Sequence, residues 1–347
     1  MLNFIIFLIF GFIAGYLLTG WSIRISEKHR IHDVPGSRSS HKIPTPRLGG
    51  AGIFSAVIIL YLISLLSQPF TNYAHAGVLI VPVLSGAAIC FAFGLVDDMR
   101  GLGAGVKFLM QGVSALIPVL AGYRIISVAR FAGLTPGPVT GGILAFCWIL
   151  LMINAFNFMD GMNGKAGTFA AVAAVFMASI VGKGTPDPVV FFLAILSGAC
   201  TGFLIYNLTP ARTFMGDSGS QFLGYILAVI PIYLQTSDPV RYPFGAFVLL
   251  LFPFLYDVLF TLIRRLFRGE NIFRAHRSHL YQRLLIAGWT HPGVLRLVFI
   301  TYVLCGIFGM LFAGTGNTQI RIISAIAALA VMIGYHLFVI CMEKRSI

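Results

Sequence analysis

Long apolar segments separated by short polar connections constrain this chain more than any other feature. A helix needs about 20 apolar residues to cross a hydrocarbon core of roughly 30 Å. Only 10% of the 347 residues are charged and 58% are hydrophobic, whereas soluble domains are about 25% charged. We therefore expect an all-α integral membrane protein with about eleven transmembrane helices, at residues 3–23, 48–67, 77–96, 106–123, 141–158, 167–182, 189–206, 219–235, 243–263, 293–313 and 320–341.

The distribution of basic residues predicts the orientation of these helices, because cytoplasmic loops carry an excess of Lys and Arg. With the N-terminus outside and the C-terminus in the cytoplasm, nineteen of the 24 Lys and Arg residues fall on the cytoplasmic side. The most basic cytoplasmic loops span about 24–47 and 264–292. No internal repeat is visible, so residues 1–347 are expected to form a single polytopic domain. The net charge of +13 then indicates a surface facing anionic lipids or substrates, with no nucleic acid partner.

Acidic residues gather on that same predicted cytoplasmic side, where nine of the eleven fall. Asp97 and Asp98 are adjacent at the end of the third helix, and Lys107 follows shortly after them. Adjacent carboxylates repel each other, so the pair predicts a bound cation or a shared proton. Capping of the next helix is the structural alternative, since acidic side chains favour helix N-termini.

A second polar motif lies where the fifth predicted helix ends, in NAFNFMDGMNG at 154–164. Asn154, Asn157 and Asp160 are spaced three apart, which places them on one helix face. Polar groups in an apolar helix are costly unless they bind something. They predict a ligand site, with hydrogen bonding between helices as the alternative.

Glycines surround Asp217 in a third motif, FMGDSGSQFLG at 214–224. A helix beginning near Ser218 or Gly219 would offer its positive N-terminus to a phosphate group. The string GDSG also occurs in serine proteases, but that chemistry needs a partnered His and Asp in a soluble fold. We interpret the motif as a metal or phosphate site.

A fourth motif, RAHRSHLYQRL at 274–284, carries His276, His279 and Arg283 on one helix face. Such donors suit a phosphate chain. An ordinary basic loop is the alternative interpretation, and a zinc site would lack a third ligand.

Arg47, in PTPRLGG before the second helix, adds a cation. Asp257 either joins this site or neutralises Arg264 or Arg265. The five cysteines, all in apolar runs, are expected to be core residues: Cys90, Cys147, Cys200, Cys305 and Cys341.

Taken in order, these segments resemble the motifs of the polyprenyl-phosphate N-acetylhexosamine-1-phosphate transferases, a family of glycosyltransferase 4 type that includes phospho-MurNAc-pentapeptide translocase. The HRSHLYQRL form resembles the branch that initiates O-antigen synthesis. The resemblance implies transfer of N-acetylhexosamine-1-phosphate from a UDP-sugar to undecaprenyl phosphate, with release of UMP. It further implies dependence on Mg²⁺, with Mn²⁺ as a substitute, in a multi-pass protein of the bacterial inner membrane. A homodimer is compatible with the family.

The resemblance also implies a role for each motif. Asp217 would be the Mg²⁺ ligand, and the catalytic residues would be Asp97, Asp98 and Lys107. The substrate-binding residues would be Arg47, Asn154, Asn157, Asp160, Asn163, His276, His279 and Arg283. Asn163 stands where the peptidoglycan enzymes carry a second aspartate, so it can hydrogen-bond a nucleotide but supplies no charge.

An ion- or proton-coupled transporter is the alternative function, since it also places polar residues in membrane helices. Transport sites usually lie near the bilayer midplane and often show repeat symmetry. Here the acidic residues lie on one predicted face and no repeat is visible, which favours the transferase. The sequence does not distinguish N-acetylglucosamine from its epimer or from a 6-deoxy sugar.

Overall fold

The computed structural model describes residues 2–35, 43–66, 74–127, 134–182, 188–271 and 277–345. Most of this part of the chain is α-helical. Its long helices are α1 (Leu2–Lys28), α2 (Gly49–Leu66), α3 (Ala74–Arg100), α4 (Ala104–Leu120), α5 (Pro138–Met159), α6 (Lys165–Val181), α7 (Pro188–Asn207), α8 (Gly216–Ser237), α9 (Phe244–Phe267), α11 (His291–Gly314) and α12 (Thr318–Arg345). A two-turn helix, α10 (Leu280–Ile286), lies between α9 and α11.

Each predicted apolar segment coincides with one of these long helices, which confirms an all-α membrane architecture in outline. Seven of the helices are long and apolar enough to cross a membrane: α1, α3, α5, α7, α9, α11 and α12. Three shorter apolar helices accompany them, α2, α4 and α6. The number of crossings and the orientation stay predictions.

A short antiparallel ribbon, which the sequence did not predict, organises the connection between α1 and α2. Its strands are β1 (His32–Asp33) and β2 (Thr45–Pro46). The Pro46 carbonyl accepts hydrogen bonds from the Thr213 hydroxyl at 2.9 Å and the Phe214 amide at 2.8 Å. The basic connection is therefore anchored to the start of α8, and Arg47 follows this anchor directly.

Glycines on both helices allow α1 to pack closely along α7. A Cβ at Gly11 would lie 2.5 Å from the Ile195 carbonyl oxygen, and a Cβ at Gly198 would collide with the backbone of Leu8. Gly15 and Gly202 make equivalent approaches. Lipid provides no hydrophobic force between membrane helices, so close backbone packing through small residues is a main source of their association. These glycines therefore specify the contact between α1 and α7.

The buried interior of the bundle is centred on α8, whose residues 218–235 are all buried. By contrast, α1 and α12 expose many large apolar side chains, as lipid-facing helices do. The expectation that all five cysteines are core residues is wrong for Cys147 and Cys341, which are exposed. In a membrane an apolar segment presents apolar side chains outward as well as inward. The burial of α8 places Asp217, near its N-terminus, at the centre of one end of the bundle.

Candidate functional site

Polar residues from several predicted motifs meet at one end of the helix bundle. The helices α3 and α5 end there, and α2, α4 and α8 begin there. Hydrogen bonds and ion pairs join side chains from these five helices or the residues flanking them. The residues brought together in this way are Arg47, Asp97, Asp98, Lys107, Asn157 and Asp217.

Asp98 ties three helices together, and its side chain has no exposed surface. Its Oδ1 accepts hydrogen bonds from Arg47 Nη2 at 2.8 Å and from the Asp217 amide at 2.8 Å. Its Oδ2 accepts one from the Ser218 amide at 3.0 Å. A carboxylate at a helix N-terminus stabilises the helix through its dipole and its unsatisfied amides. The expectation that the start of α8 is open to phosphate is therefore wrong, because Asp98 occupies its first amides.

Gly216 makes this arrangement possible. Its φ angle is +72°, which residues with a side chain rarely adopt. A Cβ there would lie 2.5 Å from Asp98 Oδ2 and would also collide with the Arg47 carbonyl oxygen. Glycine before Asp217 is thus required both by the backbone conformation and by the buried Arg47–Asp98 pair.

Lys107 bridges two carboxylates that come from different helices. Its Nζ donates a hydrogen bond to Asp217 Oδ2 at 3.0 Å and forms an ion pair with Asp97 Oδ2. Asp97 also accepts a hydrogen bond from the Leu102 amide at 2.6 Å, within the turn between α3 and α4. The side chains of Lys107 and Asp217 are 33% and 20% exposed, so this is the accessible part of the cluster. Asp97 and Asp98, although adjacent, have different partners.

The amide motif at the end of α5 divides between two environments. Asn157 donates from Nδ2 to Asp217 Oδ1 at 3.0 Å and so belongs to the cluster. Asn154 instead donates to Gln111 Oε1 at 2.9 Å, which is the bond between helices that formed the alternative interpretation. Gln111 was not predicted from the sequence, although its position four residues after Lys107 on the same face of α4 was a usable signal.

Asp160 follows the last residue of α5 and is only partly exposed. Within the described residues its carboxyl accepts no hydrogen bond. Burial raises the pKa of this carboxyl well above its usual value, and the negative charge of Asp217 acts in the same direction. Asn163, further along the same turn, donates to the Thr209 hydroxyl at 3.4 Å. A bound cation would therefore stabilise the ionised form of the Asp160 carboxyl.

A second polar group lies where α10 meets α9. His279 Nδ1 is 3.0 Å from Asp257 Oδ1, and the Leu280 amide donates to the same oxygen at 3.0 Å. The interpretation of Asp257 as a partner of Arg264 or Arg265 is therefore wrong. Arg264 donates to the Ser278 carbonyl, and Arg265 pairs with Glu270 at 3.0 Å. Asp257 instead fixes the position of the His279 ring.

Arg283 and His276 complete the residues predicted from the fourth motif. The guanidinium of Arg283 pairs with both carboxylate oxygens of Glu343 on α12, with Nε 2.6 Å from Oε1. His276 lies outside the described residues. Contact of either residue with a diphosphate stays a prediction.

Lys165 was also not predicted to belong to the site, since in the sequence it is only one of the basic residues on the predicted cytoplasmic side. The Lys165 side chain is only 1% exposed. Lys165 is the first residue of α6, and it follows the turn that carries Asp160. A single lysine at the start of an otherwise apolar helix was the available signal.

The carboxylates at this end fit one kind of metal site. Among the residues that the structure describes, no three His, Cys, Asp or Glu side chains are arranged to hold a metal ion by themselves. Mg²⁺ is commonly held by one or two carboxylates, with water and substrate phosphates completing its shell. Asp217 belongs to the cluster, and Asp160 lies close enough for the negative charge of Asp217 to raise its pKa, so these are the two carboxylates that would hold such an ion.

Known proteins resemble this chain over most of its length. Residues 80–235, which include Asp97, Asp98, Lys107, Asn157 and Asp217, match the model of glycosyl transferase family 4. The decaprenyl-phosphate N-acetylglucosaminephosphotransferase of Mycolicibacterium smegmatis is 30% identical over 332 residues, covering 87% of this chain and 80% of that protein. The probable undecaprenyl-phosphate N-acetylglucosaminyl 1-phosphate transferase of Bacillus subtilis is 27% identical over 307 residues, covering 86% and 82%. The phospho-N-acetylmuramoyl-pentapeptide-transferase of Chloroflexus aggregans is 28% identical over 344 residues, covering 90% of each chain.

Proposed function

This chain belongs to glycosyl transferase family 4, the family of polyprenyl-phosphate N-acetylhexosamine-1-phosphate transferases, and we propose that it transfers N-acetylhexosamine-1-phosphate from a UDP-sugar to undecaprenyl phosphate. The products are undecaprenyl-diphosphate-sugar and UMP. The proposal includes a place in the bacterial inner membrane and the initiation of O-antigen or another surface polysaccharide. The polyprenyl phosphate and N-acetylglucosamine in the relatives' names support both substrate classes.

One observation carries the proposal: the partly exposed Lys107 ammonium lies between the carboxylates of Asp97 and Asp217. Phosphoryl transfer requires mainly positioned reactants and neutralised charge. A cation held by two carboxylates at the accessible end of the helix bundle would both position a phosphate and neutralise its charge. The hydrogen bond from Asn157 to Asp217 keeps the second carboxylate in place.

The bond changes in this reaction make few demands on a protein base. An oxygen of the lipid phosphate attacks the sugar-linked phosphorus, and the bond from that phosphorus to the bridging oxygen breaks. UMP leaves with the electron pair. The attacking phosphate is already anionic near neutral pH, so direct attack needs no strong base. A covalent adduct on Asp98 is disfavoured, because its buried carboxylate is bonded to Arg47 and to two amides of α8.

Mg²⁺, or Mn²⁺ in its place, would be held by Asp217 and Asp160 and would neutralise phosphate charge when bound. The protein's own groups would act around this site. Lys107 would contact a phosphate, and Asn157 would orient Asp217. His279, fixed by Asp257, would contact the sugar-nucleotide diphosphate.

One experiment tests both the proposed reaction and the identity of the sugar. Two of the three relatives are named for N-acetylglucosamine, whereas the HRSHLYQRL motif resembles the O-antigen branch, so the sugar has to be measured. We would incubate the purified protein with undecaprenyl phosphate, Mg²⁺ and one UDP-sugar at a time, and measure UMP. The panel would hold UDP-N-acetylglucosamine, its epimer and two UDP-6-deoxy-N-acetyl sugars. We expect UMP with at least one, and at least about a hundredfold less UMP from Asp217→Asn. No UMP with any sugar would reject the proposal.

A further inference from the structure

The buried side chain of Lys165 lies next to the residues of the candidate site. The Nζ of Lys165 is 4.1 Å from the ring centroid of Tyr281 and 4.5 Å from that of Phe254. It donates a hydrogen bond to the Met159 carbonyl oxygen at 3.3 Å. Cations over aromatic faces are attracted by the ring quadrupole, most strongly when they are desolvated. One ammonium group therefore contacts α9, α10 and the last residue of α5.

Each of these three helices carries or borders a residue of the site. Met159 directly precedes Asp160, α9 carries Asp257, and α10 is preceded by His279. Burial disfavours the charged form of Lys165, whereas the negative charges of Asp257 and Asp160 favour it. Lys165 is thus the common neighbour of the turn after α5 and of the Asp257–His279 group.

Tyr281 extends this connection to both sides. Its ring stacks on the His279 ring, with centroids 6.1 Å apart and planes 12° apart. Its hydroxyl lies 3.5 Å from the Phe158 carbonyl oxygen, and a Cβ on Gly161 would collide with that hydroxyl. Moving the Tyr281 ring would therefore move His279 and the turn that carries Asp160 together.

Stability alone does not explain a lysine at this position. Removing a charge from water is costly, and replacing a buried ionic group with an apolar side chain of similar size is often neutral or stabilising. The surrounding rings of Phe254 and Tyr281 would accept a methionine. The ammonium differs from methionine in donating to Met159 and in being attracted to both rings, which fixes three helices relative to one another.

We propose that Lys165 is a positioning residue for the UDP-sugar, holding Asp160 and His279 at a fixed separation through Met159 and Tyr281. This inference rests on the proposed transferase function. It assigns Lys165 to the nucleotide-sugar side of the site. We assign Asp97 and Lys107 to the lipid phosphate side, and neither is among the contacts of Lys165 within the described residues.

The test is the kinetics of Lys165→Met with each substrate varied in turn. We expect the KM for the UDP-sugar to rise at least about tenfold, while the KM for undecaprenyl phosphate stays within about twofold of wild type. The melting temperature should equal or exceed that of wild type. If Lys165 acts through His279, then Lys165→Met combined with His279→Ala should be no worse than His279→Ala alone.

Arg241 provides a matched control at the opposite end of α6. Its guanidinium donates to the Val181 carbonyl at 3.2 Å and lies 5.2 Å from the Tyr242 ring centroid. Arg241→Met should leave both KM values unchanged.

Each other outcome has a definite meaning. An active wild type with unchanged kinetics in Lys165→Met would overturn the positioning role and leave the transferase function intact. Equal losses with both substrates and a lower melting temperature would also overturn it, since that pattern indicates a purely structural residue. A wild type that releases no UMP would reject the transferase function, and the positioning role would be rejected with it.

Discussion

Asp98 and Arg47 form an ion pair in which the carboxylate is completely buried and the guanidinium is 27% exposed. The same carboxylate binds the first two amides after Gly216, so it joins the start of α2, the end of α3 and the start of α8. Its neighbour Asp97 contacts Lys107 instead. The two adjacent aspartates therefore differ in role: Asp98 holds helices together, and Asp97 binds the accessible Lys107.

Asp98→Asn should destabilise the protein. The variant leaves Arg47 without its anionic partner, and its amide group would face the donating amides of α8. Breaking a buried ion pair costs about 3–5 kcal/mol, and the partial exposure of Arg47 reduces our expectation to about 2 kcal/mol. Thermal unfolding in detergent measures the change. Asp238→Asn, in a turn near the end of α8, is the control and should change stability by less than about 0.5 kcal/mol. An unchanged melting temperature in Asp98→Asn would contradict the role of Asp98 in holding helices together.

Asp217→Asn should lower the activity and leave the stability nearly unchanged, in contrast to Asp98→Asn. The side chain is 20% exposed and the asparagine has nearly the same size, so the melting temperature should stay close to that of wild type. UMP release should fall at least about a hundredfold, as for other groups that hold charge at a reacting centre. Full activity in this variant would show that Asp217 neither binds a metal ion nor orients Lys107.

Lys107→Gln should make the protein respond more strongly to divalent cations. Without the ammonium, Asp97 and Asp217 would repel each other, and a bound Mg²⁺ would relieve that repulsion. Ligand binding to the native state raises its stability. The rise in melting temperature with MgCl₂, at constant ionic strength, should therefore exceed that of wild type. Equal rises in the two proteins would argue against Mg²⁺ binding at Asp217.

Arg283→Gln and Glu343→Gln should have the same effect as each other. If Arg283 acts by holding α10 to α12 through Glu343, both variants should raise the KM for the UDP-sugar equally, by about threefold. The double variant should then match either single one. A large change in Arg283→Gln with none in Glu343→Gln would instead support the direct diphosphate contact predicted from the sequence.

Gly198→Val should weaken the contact between α1 and α7, because the added Cβ would collide with the Leu8 backbone. Overpacking typically costs about 1–3 kcal/mol, which a lower melting temperature would report. Gly334→Val on α12 is the matched control, since no atom lies within 4 Å of its added Cβ. Equal melting temperatures for the two variants would contradict a specific α1–α7 interface.

The helices were predictable from sequence because lipid requires long apolar segments. Asp217, Asn157 and Lys107 could be singled out for a related reason, since polar groups are rare there and need partners. It was harder to predict which residue each polar side chain contacts. Nothing in the order of Asp97 and Asp98 indicates which carboxylate caps α8 and which faces Lys107, because that depends on how α3 is rotated against α8.

Residues that act through aromatic rings or through distant helices were the hardest to identify. Lys165 appeared to be one more cytoplasmic charge, since its burial depends on Phe254 and Tyr281, far along the chain. Arg283 fitted a phosphate-binding pattern, yet its partner Glu343 lies near the C-terminus. Spacing along one helix reveals a shared face, but it carries no information about what a second helix brings to that face.

The glycine contact between α1 and α7 has a consequence for how the protein is made. Gly11 emerges early from the ribosome, whereas its partner Ile195 follows only after five further helices. At about 5–20 residues per second, the interval is roughly 10–40 s. Throughout it, the face of α1 that carries Gly11 and Gly15 lacks its final partner. The helix α1 therefore completes its packing only when α7 is made, and a nascent chain interrupted before α7 leaves this face of α1 without its partner.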